Sequence, residues 1–538
     1  MRYPLLILAA LITGTLGFSQ HASNRNSSSP DSIATHKVRL DSQSKLLSWI
    51  QPQANAYDKV LRDRWDFIFS GIPMSPGPAP RSDYPQFFFY CAYKDQQMKP
   101  DTWMNDVGEK IPNWFESARL FYQYTGDARA LKIVTEMASY AIDHGTSPDT
   151  AAWANFPYTT TNAGDTIFSG FTTGNKFVQH EVQIDHAGDM GLAYYRLFLI
   201  TGQQKFKTAA VNIAKALIKY ARTGDAHHSV WPYRVITDNG RVTAPYGANW
   251  IGCYELLNEL SRDESARIAE LLPAMKKARD FLLQYPFKTG YWTDGHTDTD
   301  ITSDTYKSNM SASNATLYLF DHPEFDPQAS TDIPALIGWT EKNFIEHCSP
   351  GEPSHQWGAG IVGEQDTFLV KMDYQTARYA AECARWYALS GDTAYREKAY
   401  RSLNWVTYCT DTKGMAFESP LSSGITSWWS DCYGEGPRMF YHALAAVPEW
   451  APAHQDHILY SNGILNQVEY KKNKLEYIPA GKEGTEYIRL SFKPSSIAVD
   501  GHMLAVAETG EGYSLKKIAG NDYSLIVRRA AKGKVTIK

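Results

Sequence analysis

Three segments of this 538-residue chain end the same way: Tyr122-Gln-Tyr-Thr-Gly126-Asp127, Phe198-Leu-Ile-Thr-Gly202-Gln203 and Tyr387-Ala-Leu-Ser-Gly391-Asp392. Each has an aromatic residue four positions before the glycine, on the same helical face one turn back. The glycine supplies the left-handed residue that ends a helix. An amphipathic stretch follows every time, over 128–142, 205–220 and 394–408. Weaker copies lead from Leu256–Arg262 into 265–285 and from Ala315–His322 into 333–347. The tips Gly126, Gly202, Arg262, His322 and Gly391 are spaced by 76, 60, 60 and 69 residues. A sixth apolar helix, Arg438–Ala446, has a candidate partner near the N-terminus, Tyr57–Ser70. One helix pair cannot bury its own apolar face, so pairs repeated at this period must stack on one another. Six pairs without a polar capping repeat predict closure into a ring. The expected fold is mainly α: an (α/α)6 toroid of helical hairpins over 41–454.

The two ends of the chain have a different character. Arg2, a short apolar run from Leu5 to Phe18 and then Ser19 have the form of a signal peptide over 1–19, too short to span a bilayer. Residues 20–40, with Ser27, Ser28, Ser29 and Pro30, read as a flexible leader. The expected location is periplasmic or secreted. No cysteine follows the run, so no lipid anchor to a membrane is expected. From 455 onward Val468, Tyr470, Leu475 and Tyr477 alternate as in strands, and Asn462-Gly463 is a hairpin-turn signal. Residues 455–538 are therefore expected to form a small accessory β domain.

Charge and composition exclude several classes of function. A net charge of −5 without a basic stripe argues against nucleic-acid binding. None of the six cysteines (Cys91, Cys253, Cys348, Cys383, Cys409, Cys432) has metal-site spacing. His227-His228 and His296 with Asp298 and Asp300 read as solvated loop rather than a metal site, and no cofactor is implied. Fifteen Trp and 33 Tyr suit either a large helical core or a cleft for sugar rings. No feature fixes an oligomeric state.

A helical toroid has a funnel rimmed by the loops before its inner helices, and polar residues there are the ones to weigh. They are Trp103 to Gly108, His180 to Asp189, Trp231 to Arg234 with Ala244 to Trp250, Asp294 to His296, and Trp428 to Glu435. Acid–base work on a sugar needs carboxyl groups held where burial and like-charged neighbours raise one pKa. The candidates are Asp106, Asp185, Asp189, Asp431 and Glu435; helix capping is the competing role for each. His180, His186, Trp231, Arg234, Asn249, Trp250 and Tyr433 are the expected substrate-binding residues, with Trp103, Trp428 and Trp429 as further sugar platforms.

Asn105-Asp106-Val-Gly108, followed by a helix ending Thr125-Gly-Asp, resembles the His-Asp-x-Gly segment of unsaturated glucuronyl hydrolases. Ile184-Asp185 with Met190-Gly-Leu192 resembles that family's Ile/Met-Asp-x-x-Met-Asn-Leu segment, and Ala244 to Trp250 its Gly-Gln-x-Trp segment. The resemblance spans roughly 100–450 and implies the six-hairpin glycosidase superfamily. It carries the family's two aspartates onto Asp106 and Asp185; the latter would protonate the substrate's double bond and then activate water. Departures are Asn105 in place of His, Glu109 in place of an aromatic residue, and the β domain.

The expectation is a glycoside hydrolase acting on a polysaccharide-derived, uronate-bearing oligosaccharide, with Asp185 as general acid/base and Asp106 its partner. Asp431 or Glu435 could instead pair with Asp185 in an ordinary glycosidase. A polysaccharide lyase using His180, His186, Tyr433, Arg234 and Asn249, and a non-catalytic carbohydrate-binding protein, are the alternatives.

Overall fold

The computed structural model describes residues 32–173, 176–266, 268–293, 307–348, 352–366, 368–420 and 428–538. The expected signal peptide, the first part of the leader, and Asp294, His296, Asp298 and Asp300 lie outside the described residues.

The helices in chain order are α1 (Ala56–Ser70), α2 (Val107–Thr125), α3 (Arg129–His144), α4 (Ile184–Thr201), α5 (Gln204–Tyr220), α6 (Ile251–Ser261), α7 (Leu271–Gln284), the single turn α8 (Pro286–Thr289), α9 (Asn309–Asp321), α10 (Ala329–Thr340), α11 (Asp373–Ser390), α12 (Thr393–Thr407) and α13 (Asp431–Ala446). An inner ring is made by α2, α4, α6, α9, α11 and α13, each packed on the next, with α13 returning to α2. The outer helices α3, α5, α7, α10 and α12 each pack on the inner helix before them, and α1 packs on α13. The fold is an (α/α)6 toroid, and its closing pair joins the two ends of the barrel sequence.

Local chemistry explains the hairpin tips. Gly126, Gly202 and Gly391 have φ of 79°, 70° and 74°. Each donates its N–H to the carbonyl of the aromatic residue four positions earlier: Tyr122, Phe198 and Tyr387. α6 and α9 end instead at Arg262 and His322 without a left-handed residue, as their missing glycines predict. The second helix of the third pair starts at Leu271, later than the apolar pattern suggests. Asp263 turns the chain first by accepting the Ser265 N–H at 2.9 Å.

The inner helices begin well before their apolar runs. α2 starts at Val107 rather than Trp114, α4 at Ile184 rather than Leu192, and α13 at Asp431 rather than Arg438. The first turns of an inner helix face the barrel axis, so they carry polar residues and glycine, and hydrophobic periodicity reads them as loop. Asp185, His186, Asp189, Asp431 and Glu435 are consequently helical. Two glycines there have a steric reason. A methyl group on Gly108 would sit 2.8 Å from the His186 Cβ, and one on Gly252 would overlap the Asp189 carboxylate.

The leader is tied down from residue 32 onward. His36 is buried, stacks on Trp49 at 3.7 Å and bonds the Thr410 carbonyl at 2.8 Å. The flexible reading therefore fails for its last residues. All six cysteines are free thiols.

The C-terminal strands form two sheets. One orders His457–Ser461, Gly484–Leu490, Asp522–Arg529 and Gly512–Ala519; the other orders Leu465–Lys471, Lys474–Pro479, Val535–Ile537, Ile497–Val499 and His502–Met503. Between them lies a separate apolar cluster that includes Ile458, Leu475, Ile488, Leu525 and Val535. Asn462-Gly463 is not a hairpin turn, because the strands it joins belong to different sheets. The turn between paired strands is at Lys472-Asn473, where Asn473 has φ of 52°. Strand His457–Ser461 lies against α2 and α13. Its His457 stacks on Tyr124 at 3.9 Å, and its Tyr460 hydroxyl donates to Asp321 at 2.7 Å. The β domain thus covers the C-terminal end of the inner helices.

Candidate active site

The six inner helices run in one direction, so their N-termini gather at one end of the barrel. Contacts between neighbouring N-termini close that ring. His186 Nδ1 is 3.6 Å from Asp106 Oδ1, Asn249 Nδ2 donates to Asp185 at 3.2 Å, and Asn309 Nδ2 donates to Gln375 at 2.8 Å. A cavity of about 170 Å³ follows the axis from this end, where Glu109, His186 and Asp189 line it, to Asp321, His442 and Tyr460 at the other.

Three short strand pairings set the entrances. Asn105–Asp106 pairs with Thr160–Thr161 just before α2, Glu181–Gln183 with Arg234–Ile236 just before α4, and Trp428–Trp429 with Ala92–Tyr93 just before α13. Asp106 caps α2, accepting the Glu109 N–H at 3.4 Å. Asn105, where the resembled family has His, is buried and serves the scaffold. It donates to the Phe88 carbonyl at 3.1 Å and accepts from Lys110, which also holds the Phe87 carbonyl at 2.7 Å.

Acidic groups crowd this end. Asp431 is half-buried; burial, then Glu435 and Asp106, push its carboxyl up to about 8. Burial with Asp431, Asp106 and Glu435 nearby pushes the Glu109 carboxyl well above the usual range. Asp189 rises to about 7 through burial and the Asp185 charge. Burial works against a charged His186, yet Asp185 and Asp106 lift it to about 10. At neutral pH the site therefore contains protonated carboxyl groups beside an imidazolium, an arrangement suited to donating protons.

A chain of hydrogen bonds links four inner helices and the segment just before α6. Asn249 Nδ2 donates to Asp185, Asn314 Nδ2 to Asn249 Oδ1 at 3.0 Å, and Arg378 Nη1 to Asn314 Oδ1 at 2.7 Å. Arg378 Nε then bonds the fully buried Glu435. Asp185, 1% exposed, and Glu435, 0% exposed, thus sit one layer behind the cavity surface. Glu109 and Asp189 line it directly. Asp373, the first residue of α11, is spent elsewhere: Arg64 of α1 clamps both its oxygens at 3.0 and 2.7 Å.

The far end of the cavity is a girdle of paired charges. Arg196 reaches Glu255 at 2.5 Å and Glu259 at 2.6 Å, Arg119 bonds Glu116, and Arg385 bonds Asp321 at 2.7 Å. Burial and Arg385 hold His442 down at about 3, so it is neutral there.

Several expected substrate-binding residues prove to be core. Trp231 and Trp250 are 0% exposed and pack edge to face, their indole N–H groups donating to the Leu217 and Gly247 carbonyls at 2.8 and 2.7 Å. Tyr433 is also 0% exposed, stacks on Phe67 and accepts the Ala416 N–H at 2.9 Å. These three offer no face to a ligand. His180, half-exposed at the start of the strand before α4, bonds Asp238 at 2.6 Å rather than joining the carboxylates. Arg234 is buried opposite Gln183, two residues from Asp185. Asn249 and His186 do reach the site. Trp103 and Trp429 meet edge to face at 5.3 Å, both half-buried, next to the segments bearing Asp106 and Asp431.

Sequence reasoning missed Glu364, buried on the strand before α11 and one of the charges acting on Asp431, and also Asn314, Arg378 and Arg438. Asn314 and Arg378 lie in the second turns of inner helices and Arg438 at the start of a third turn; counting forward from each helix start was the available signal. Among the described residues no three His, Cys, Asp or Glu side chains gather as a metal site.

No protein-family model and no curated protein matches the sequence. Solved structures are similar in fold. Cellobiose 2-epimerase from Spirochaeta thermophila DSM 6192 aligns over 73% of this chain and 97% of its own at TM-score 0.50 and 12% identity. Cellobiose 2-epimerase from Bacillus thermoamylovorans B4167 aligns over 72% and 98% at 0.51 and 12%. A D-mannose isomerase aligns over 73% and 97% at 0.51 and 13%. The likeness covers the six-hairpin toroid, the fold that the sequence motifs resemble.

Proposed function

We propose that this chain is an exported, carbohydrate-active enzyme: a glycoside hydrolase that cleaves polysaccharide-derived, uronate-containing oligosaccharides by carboxylate acid–base catalysis. The observation that carries the reading is the crowding of Asp106, Asp431 and Glu435 about Glu109, which lines the axial cavity; burial and these neighbours push the Asp431 carboxyl up to about 8. Glycosidic cleavage needs such a proton for the leaving oxygen and a second carboxylate for the sugar or its attacking water. Asp431 supplies the proton and Asp106, 3.6 Å from His186 Nδ1, is the second carboxylate. The resemblance to glucuronyl hydrolases assigns the acid/base role to Asp185. Its burial and its bond to Asn249 favour a supporting charge that keeps His186 protonated. Trp103 and Trp429 offer apolar faces to a sugar beside both carboxylates.

Two other reactions fit less well. Epimerising a sugar beside its carbonyl needs a neutral base for the carbon-bound proton. His186 is held charged, and His442 is fixed 3.3 Å from Arg385 at the far end. β-Elimination needs a free Tyr or His base, and Tyr433 is packed in the core.

The test is turnover of uronate oligosaccharides, intact and lyase-digested, read by reducing ends and by ultraviolet absorbance of the unsaturated uronate. Asp431→Asn and Asp106→Asn are each expected to lose at least about a hundredfold in rate. Near-normal turnover in both would refute the assignment. A hundredfold loss confined to Asp185→Asn would return the acid/base role to that residue.

A further inference from the structure

Arg438 differs from every other arginine on the cavity wall. Arg119, Arg196 and Arg378, which also line the cavity, each bond a carboxylate. Arg438 makes no hydrogen bond among the described residues. Its Nε is buried without a partner, and its Nη2 stops 4.0 Å from Glu435 Oε1. Its side chain is 15% exposed and lines the cavity. It lies on α13 three residues beyond Glu435 and seven beyond Asp431, two turns along the axis from the proposed acid.

An unmatched guanidinium is costly in a cavity that excludes bulk water. Burial and the neighbouring Arg378 charge bring Arg438 down to about 10, a measure of how poorly its charge is compensated. The guanidinium is a planar fork that accommodates a carboxylate through two parallel N–H bonds. Its wall neighbours Asn113, Asp189 and Asn314 can meet hydroxyl groups around such a carboxylate.

We infer that Arg438 is a specificity-determining residue that binds the carboxylate of a uronate ring seated in the axial cavity, below the carboxyl groups that cleave its glycosidic bond. The inference rests on the hydrolase reading above and deepens it by naming the group that selects an acidic sugar over a neutral one.

The experiment compares kcat/KM for a uronate-terminated oligosaccharide and for its carboxyl-reduced counterpart in wild type, Arg438→Gln and Arg438→Lys. A charge-assisted bond of this kind corresponds to about ten- to a hundredfold in kcat/KM. Wild type should prefer the uronate by that factor. Arg438→Gln should bring the two kcat/KM values together, chiefly by raising KM for the uronate, and Arg438→Lys should fall between. Equal losses on both substrates, or no loss on either, would overturn the inference while leaving the hydrolase reading intact. If wild type turns over neither sugar, the hydrolase reading fails by itself. Calorimetric titration of free glucuronate then decides the role of Arg438: at least tenfold weaker binding to Arg438→Gln supports it, and unchanged or absent binding overturns it.

Discussion

Asp373→Asn tests how the ring is closed. Arg64 comes from the outer helix at the start of the barrel sequence, and Asp373 opens the fifth inner helix; both side chains are 0% exposed. Two guanidinium nitrogens bond the two carboxylate oxygens at 3.0 and 2.7 Å, Nη1 also donates to the Cys432 carbonyl at 2.7 Å, and Nε donates to Thr410 at 2.8 Å. The amide would keep the volume and one acceptor but turn an NH2 group toward the guanidinium, leaving a buried charge uncompensated. Breaking such a pair costs about 3–5 kcal/mol. The two neutral acceptors that Arg64 retains place the expected loss near the lower end, about 3 kcal/mol. The assay is urea denaturation followed by tryptophan fluorescence, comparing midpoint and slope with wild type. Because the pair is fully buried, the loss should be the same in low and high salt. A loss below about 1 kcal/mol, or one that vanishes with salt, would refute the reasoning.

Three other outcomes are expected. With Asp431 as the proton donor, kcat/KM should hold below pH 8 and fall above it, since the carboxyl loses its proton at about 8; Asp431→Asn should remove that alkaline limb from the pH–rate profile. Trp231→Ala should cost about 3–5 kcal/mol in thermal or urea unfolding while leaving KM near wild type, because the ring is core. Gly252→Ala would drive a methyl group into the Asp189 carboxylate. It should cost about 1–3 kcal/mol and lower kcat/KM, as measured by melting and steady-state rates.

The ring, its helix pairs and its hairpin tips were legible in the sequence because they rest on local rules. A glycine that alone tolerates a positive φ ends a helix wherever it stands, and an aromatic residue four positions earlier shares its face. The C-terminal strands announced themselves by alternation for the same reason. The placement of Asp106 and Asp431 at the start of inner helices was legible, although those helices start earlier than apolar periodicity indicates.

Orientation and partnership were not local and only the tertiary structure decided them. Asp373 and Asp431 each open an inner helix, and nothing nearby in sequence separates them. Arg64, 309 residues away, turns the first into an anchor, while the second gathers with other carboxyls and keeps its proton. Trp231 and Trp250 carried the residue type of a sugar platform, but whether an indole faces solvent or a neighbouring helix depends on how the hairpins pack. The chain encodes where each helix ends by local geometry; which charges meet across the axis follows only once all six pairs have closed around it.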